Sequence, residues 1–262
     1  GTHDEEIARL GLQHRVWRPR ALDAWRRAGI TVGQTLLDIG CGPGYASVEL
    51  AEIVGTDGRV IAVDGSRRFL DFLGAQADQR GIKNIERHEL DLDRAELPGE
   101  LVDVAWSRWV FSFVKSPRRV LEKVKAAIKP GGVLVLHEYF NYASWRSSPR
   151  LPEIEEFVSL VMKSWRADGG EPDIALSLLP WLGELGFAIK SLQPIVDVLS
   201  PADDGWQWLE TFLGVGTERL VELGHLTAER AATIIRSVAE MEKRPHVHMV
   251  TPAVLEIIAV KA

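Results

Sequence analysis

The stretch Leu36-Leu37-Asp38-Ile39-Gly40-Cys41-Gly42-Pro43-Gly44 holds the residues best spaced for chemistry. Glycines at every second position let the backbone turn sharply and lie against a ligand where any Cβ would intrude. Leu36, Leu37 and Ile39 suit a buried strand, and Tyr45 to Ile53 resumes a helical period. Main-chain N–H groups at that helix start would face the ligand, with the positive end of the helix dipole behind them. Twenty residues after Gly44, the apolar run Val60-Ile61-Ala62-Val63 ends in Asp64. A carboxylate only accepts hydrogen bonds, which suits the paired hydroxyls of a ribose; a strand-end acid or helix cap is the plainer use. Together these residues read as a nucleotide-cofactor site.

Two cofactor classes use a glycine turn at this place, and spacing separates them. A dinucleotide fingerprint wants GxGxxG, whereas here Tyr45 stands where the third glycine should be. The pattern instead resembles the first motif of class I S-adenosylmethionine (SAM) methyltransferases, and the resemblance continues over residues 31–140. Val60 to Asp64 is similar to that family's second strand, and Asn84 to Asp91 to its third, ending in an acid near the adenine amino group. Leu97-Pro98 and Val102 to Ser107 resemble the fourth strand with its turn. Ile128-Lys129-Pro130-Gly131-Gly132 leading into Val133 to Leu136 resembles the fifth. The resemblance implies SAM as cofactor, S-adenosylhomocysteine (SAH) as product, and a cofactor set of Asp38, Gly40, Cys41, Gly42, Gly44, Asp64, Gly65, Ser66, Asp91, Leu92, Ser107 and Arg108. Asp93 competes with Asp91, since either could cap a turn. Cys41, the only cysteine, reads as a small filler in the turn rather than a nucleophile.

The chemistry the family implies is in-line displacement of a methyl already activated by a sulfonium, which chiefly needs an aligned nucleophile. An oxygen or carbon nucleophile often needs a base, and His137 and His14 are the candidates. Strand alternation sends one of His137 and Glu138 toward the helix layer, and satisfied polar packing is the competing reading of His137. His225, His246, His248, Tyr139 and Tyr142 stay open as weaker alternatives. Nine tryptophans are many for 262 residues, and Trp17, Trp106, Trp109, Trp145, Trp165, Trp206 and Trp208 fall in or beside the expected pocket. Trp109, Glu138, Tyr142, Trp145 and Arg146 are the expected substrate residues, with Trp106 read as packing and surface exposure as the plainer reading of Arg146. The turn Ser107-Arg108-Trp109-Val110 lacks the Asn/Asp-Pro-Pro-aromatic pattern of methyltransferases acting on base amino groups or glutamine amides. No cluster of acids and asparagine marks a divalent-metal site, so metal independence is expected.

Strands and helices alternate until about Phe140, the pattern of a doubly wound α/β sheet. The resemblance implies a Rossmann-like, seven-stranded, mostly parallel sheet with an antiparallel last strand. Ser66 should cap a helix running to Arg80 on an apolar stripe of Phe69, Leu70, Leu73 and Ala77. Ser116-Pro117 should open another, which Lys129-Pro130-Gly131-Gly132 ends. A single domain over 1–262 is expected: an N-terminal helical lid at 4–30, the SAM-binding core at 31–140, helical substrate covers at 141–183 and 201–244, and edge strands at 187–199 and 255–262.

Composition supports a sizeable core, with 46% hydrophobic residues. No apolar run approaches the roughly 20 residues that cross a membrane, and one cysteine rules out an internal disulfide, so a cytoplasmic location is expected. The chain opens on Gly1-Thr2-His3 without a secretory run, and those three residues read as an expression remnant. A net charge of −6 with no basic block argues against nucleic acid and for a small-molecule partner. An apolar lid surface would equally serve a homodimer. The expected activity is transfer of a methyl to oxygen or nitrogen, less readily carbon, of a small aromatic or hydrophobic acceptor. A noncatalytic SAM-binding protein and, behind it, a nicotinamide oxidoreductase are the alternatives.

Overall fold

The computed structural model describes residues 4–262, so the expectation for residues 1–3 lies outside the described residues. The first half alternates as the apolar runs require: α1 (Asp4–Arg27), β1 (Thr35–Ile39), α2 (Tyr45–Val54), β2 (Arg59–Asp64), α3 (Arg67–Arg80), β3 (Ile85–Glu89), β4 (Val102–Arg108), α4 (Pro117–Ala127) and β5 (Ile128–Asn141). There follow a 3₁₀ turn over Tyr142–Ser144, β6 (Arg146–Ser148), α5 (Pro152–Ala167), α6 (Ala175–Glu184), β7 (Phe187–Ile195), β8 (Val198–Leu199), α7 (Asp204–Glu222), α8 (Ala228–Glu242), β9 (His248–Val250) and β10 (Ala253–Lys261). Seven strands form one sheet in the order β3-β2-β1-β4-β5-β10-β7, with β10 antiparallel to both neighbours. The order reverses between β1 and β4, which places a crevice at their carboxyl ends, where open α/β sheets bind ligands.

Both faces of the sheet are covered, so its central strands read as unbroken apolar runs. On one face Ala21, Ala24 and Trp25 of α1 and Leu50 and Val54 of α2 pack on Leu36, Val104 and Trp106. Trp106 meets Trp25 edge to face at 5.3 Å. On the other face Val120, Leu121 and Val124 of α4 and Leu178 and Leu182 of α6 cover Leu37, Ala105 and Leu136. Hence α6 belongs to the helix layer of the sheet rather than to the substrate cover in which the 141–183 expectation placed it.

Two further differences from the sequence reading concern strands. The run 187–199 splits: β7 passes through Pro194 at the sheet edge, where a missing N–H is tolerated, and β8 leaves to pair with β9. Strands β6, β9 and β8 form a separate three-stranded antiparallel sheet. It supports a second core in which α5, α7 and α8 bury Phe157, Trp206, Leu213 and Ile234 over the strand ends. Ser66 caps α3 by accepting from Phe69 N. Ser116 makes no side-chain cap on α4; Asp93 instead fixes the chain leading into the helix, accepting from Lys115 N at 3.0 Å and Ser116 N at 2.8 Å.

His137 lies wholly inside this frame. Its Nε2 donates to Glu256 Oε2 at 3.0 Å, Arg27 bonds the other carboxylate oxygen, and Nδ1 is buried without a partner among the described residues. A protonated ring would bury an orphan N–H, and burial accordingly lowers the His137 pKa, only partly opposed by Glu256 and reinforced by Arg108 and Arg20. An unfolded chain takes up this proton below pH 6.5 and the buried ring resists it, so stability falls as pH drops from 6.5 toward the folded value. Burial would raise Glu256, but hydrogen bonds from His137 and Arg27 hold its carboxyl below 4.5, which adds a loss of the same sign at lower pH. The buried carboxyls Glu138 and Asp38, raised to about 7 and about 6, act in the opposite sense as pH drops below 6.5, so the expected result is a fall in the melting temperature of the unsubstituted protein relative to that of His137→Asn. Equal slopes in thermal melts of the two proteins would refute this.

Candidate functional site

At the carboxyl end of β1, Gly40, Gly42 and Gly44 have φ of 63°, 55° and 80°, a region open to glycine at little cost. Their surroundings differ. A Cβ on Gly40 would sit 2.4 Å from Val110, and one on Gly44 2.4 Å from Leu73, so these two satisfy the protein's own packing. Gly42 faces open space, leaving a cradle beside its backbone that a side chain would fill. Asp64, ending β2, steadies this turn: Gly42 N donates to Oδ2 and Ser66 N to Oδ1, both at 2.8 Å. Burial raises the Asp64 pKa against these two bonds. Each oxygen retains acceptor capacity, and Asp64 and Gly65 line the cavity described below.

Both acids after β3 line the cavity with Leu92, but Asp93 spends both oxygens on the chain just before α4, whereas Asp91 accepts from Asp93 N at 2.9 Å and its other oxygen stands 3.5 Å from Arg94. Ser107 is fully buried, its Oγ tied to Ile39 O at 3.3 Å where β4 and β1 end together. Ser107, Ser66 and Gly44 shape the turn without lining the cavity. Burial pushes the Cys41 thiol up, consistent with an inert filler.

Behind the glycine turn lies a small compartment of about 80 Å³ walled by Asp38, Cys41, Tyr45, His14 and Arg108. Asp38 accepts from Ser47 Oγ, and burial raises it to about 6. Burial lowers Arg108 to about 10, still charged at neutral pH, with the acids Asp38 and Glu49 opposing the shift. Its Nη2 donates to His14 Nδ1 at 3.1 Å, while Nη1 is buried with no partner among the described residues. A buried guanidinium nitrogen awaiting an acceptor beside a glycine turn fits a ligand carboxylate. Nδ1 of His14 is thus an acceptor and its Nε2 stands 3.3 Å from Glu49, so both ring nitrogens face protein partners. Burial lowers the His14 pKa, and the ring lines this compartment rather than the larger one.

Arg108 and the glycine turn also line a larger cavity of about 560 Å³ that opens past Asp64 under the second core. Its walls are aromatic. Trp109, in a left-handed conformation at φ 54°, stacks between Tyr139 at 5.4 Å and Trp208 at 5.7 Å, with Trp17 edge-on at 4.9 Å. Tyr142, Trp145 and Trp165 continue the wall, and Phe113 stands half-exposed against Trp165 at 4.6 Å. From α1, Arg9 is gripped by Glu6 through two bonds of 2.7 Å, and Gln13 accepts from Trp208 Nε1 at 3.2 Å.

Three expected site residues lie elsewhere. His137 faces Glu256 under Trp106 and lines neither compartment. Glu138 is fully buried on the opposite face of β5, accepting from Val110 N, Phe111 N, Ser112 N and Ser112 Oγ. Arg146 is exposed on β6, on a shallow outer groove. The sequence reading missed Arg9, Gln13 and Phe113; the i, i+4 spacing of Arg9 and Gln13 on the lid helix was the available signal.

A family model described as a methyltransferase domain matches residues 30–167, more than half of the chain and the whole of the glycine turn, Asp64 and Asp91. The chain belongs to the methyltransferase-domain family. It is 31% identical over 207 residues to an uncharacterized 37.1 kDa protein in transposon TN4556 of Streptomyces fradiae, covering 75% of this chain and 55% of that protein. It is 29% identical over 194 residues to demethylmenaquinone methyltransferase of Lactococcus lactis, covering 73% of this chain and 66% of that enzyme. The chain thus spans between half and two thirds of the length of these two relatives. Coclaurine N-methyltransferase, solved with N-methylheliamine and SAH, shares the fold at a TM-score of 0.57 and 20% identity over 91% of this chain and 68% of that one. The seven-stranded order with its antiparallel β10 is the Rossmann-like arrangement of that fold, and a fold hosts many reactions.

Proposed function

We propose that this chain is a SAM-dependent methyltransferase acting on a small, planar, largely apolar acceptor. The observation that carries the proposal is the union of two compartments at one glycine turn: a polar one suited to an amino-acid tail and an aromatic one suited to an acceptor. Gly42 would lie against the cofactor, Asp64 would receive its ribose hydroxyls, Asp91 and Leu92 its adenine, and Arg108 Nη1 its carboxylate. When bound, SAM supplies a methyl group activated by its sulfonium, so the protein's task is alignment and exclusion of water. The aromatic wall that includes Trp165 and Phe113 would orient a planar acceptor, while α1 and α7 cover the strand ends. Neither histidine proposed from sequence reaches the larger cavity, so this reading assigns no histidine base. It favours an acceptor whose nucleophile is neutral or already ionised at the working pH.

Calorimetric titration with SAH beside NADH tests this reading. Micromolar binding of SAH alone is expected; binding of NADH, or of neither, would overturn it. Among the described residues no three His, Cys, Asp or Glu side chains are grouped to hold a metal ion. Methyl transfer should accordingly be unchanged in excess EDTA, and activity lost to chelation and restored by magnesium would contradict this. No described helix is long and apolar enough to cross a membrane. The cytoplasmic location and the lack of a nucleic-acid partner belong to the proposal and rest on composition; the homodimer belongs to it and rests on the apolar lid surface expected from sequence.

A further inference from the structure

Tyr139 and Tyr142 have no place in the cofactor site, and both are more than nine-tenths buried. Their rings meet edge to face at 4.9 Å, and both residues line the larger cavity. A buried tyrosine ordinarily places its hydroxyl on a protein acceptor. Here neither hydroxyl makes a hydrogen bond among the described residues, and neither is among the buried polar atoms sealed off from the surface. Both residues line the larger cavity, which is where their hydroxyls would find an acceptor. Burial pushes both phenols above their ordinary range, and the Arg9 guanidinium acts on each in the opposite sense. The two groups remain protonated donors at any working pH, with a cation within electrostatic reach. In an otherwise aromatic chamber they are a recognition device for one polar atom of the occupant.

We propose that Tyr139 and Tyr142 form a paired-donor clamp for an oxygen of the acceptor, a carbonyl or ionised hydroxyl carried on a planar ring held within the aromatic chamber. The inference rests on the aromatic end of the larger cavity, beyond Asp64 and Asp91, being the acceptor site, and goes beyond that reading by naming the chemical class. Two hydroxyl donors favour an anionic oxygen over its protonated form, because a neutral hydroxyl leaves one donor competing with the ligand's own proton. A clamp of this kind lowers the pKa of a bound phenol, whose proton passes to solvent without any group in the protein removing it. It supplies what the two sequence-proposed histidines do not, and it makes Tyr139 and Tyr142 substrate-positioning groups.

The test uses 7-hydroxycoumarin, a planar phenol whose absorption distinguishes its neutral and ionised forms, and naphthalene as an oxygen-free planar control. With the unsubstituted protein, bound 7-hydroxycoumarin should ionise at a lower pH than in free solution. Tyr139→Phe and Tyr142→Phe should each weaken its binding roughly tenfold. The double variant should return the bound probe to its solution behaviour. Naphthalene binding and SAH binding should be unchanged in all three variants, showing that chamber and cofactor site persist. An unshifted probe in the unsubstituted protein, or equal affinity in the double variant, would overturn the clamp. Absence of SAH binding in the unsubstituted protein would instead overturn the cofactor reading. The coumarin titration needs no cofactor, so the two failures remain distinguishable.

Discussion

Replacing Asp64 by alanine should weaken SAH binding about a hundredfold while leaving the fold able to melt cooperatively. Two interactions are lost together. The first is the acceptor pair for the ribose hydroxyls, where charge-assisted hydrogen bonds are worth about 1.5–3 kcal/mol. The second is the tether at Gly42 N and Ser66 N, which holds the middle glycine of the turn in the orientation that leaves its cradle open. Asp64→Asn separates them: an amide keeps one acceptor but presents N–H to a backbone N–H, so it should lose most of the same affinity. Titration calorimetry on the three proteins decides the matter. Affinity within threefold of the parent in both variants would remove Asp64 from the cofactor site.

The second large effect concerns a residue outside the cavity. Glu138→Ala should destabilise the protein by about 3 kcal/mol or more, since each buried donor left without a partner costs about 1–3 kcal/mol. Four donors converge on that one carboxylate, from Val110, Phe111 and Ser112. The segment they pin follows directly on Arg108 and Trp109, so the loss should reach both compartments. Burial raises Glu138 to about 7, opposed by these same donors. Urea denaturation measures the first effect, and a rise in the KM for the acceptor in the surviving folded fraction measures the second. A change below 1 kcal/mol would mean that the turn holds itself.

The cofactor half was legible because its signals are local. Glycines in a fixed pattern, apolar runs of strand length and acids at their ends are read from neighbouring residues, and β1 to β5 follow them closely. The sequence reading went astray where the decisive partner is remote. Alternation along 137–138 offered one of the two to the cavity, yet Glu256 claims His137 from 119 residues away, and the 110–112 turn claims Glu138. Strands β6, β8 and β9 are two or three residues long, too short for a period to show, and exist only by pairing with one another. Likewise α6 carries an apolar face like any cover helix; its neighbours Val120 and Phe187 decide that it lies on the sheet. Arg9 looked like an ordinary charged residue on a helix until Glu6 and Gln13 fixed it at the chamber wall.

Helix α1 is held in place by hydrogen bonds spanning most of the chain: Gln13 to Trp208 across 195 residues at the cavity wall, and, away from it, Arg20 to Asp197 across 177 and Arg27 to Glu256 across 229. Such contacts carry the largest loop-closure entropy and come late in folding, after the local strand–helix units have formed. A chain emerging from the ribosome would thus acquire its glycine turn early and its acceptor chamber only when α7 arrives to meet α1. Acceptor binding is consequently a signature of α7 having docked on α1, and a nascent chain that displays the cofactor turn before α7 is made has no chamber in which to use it.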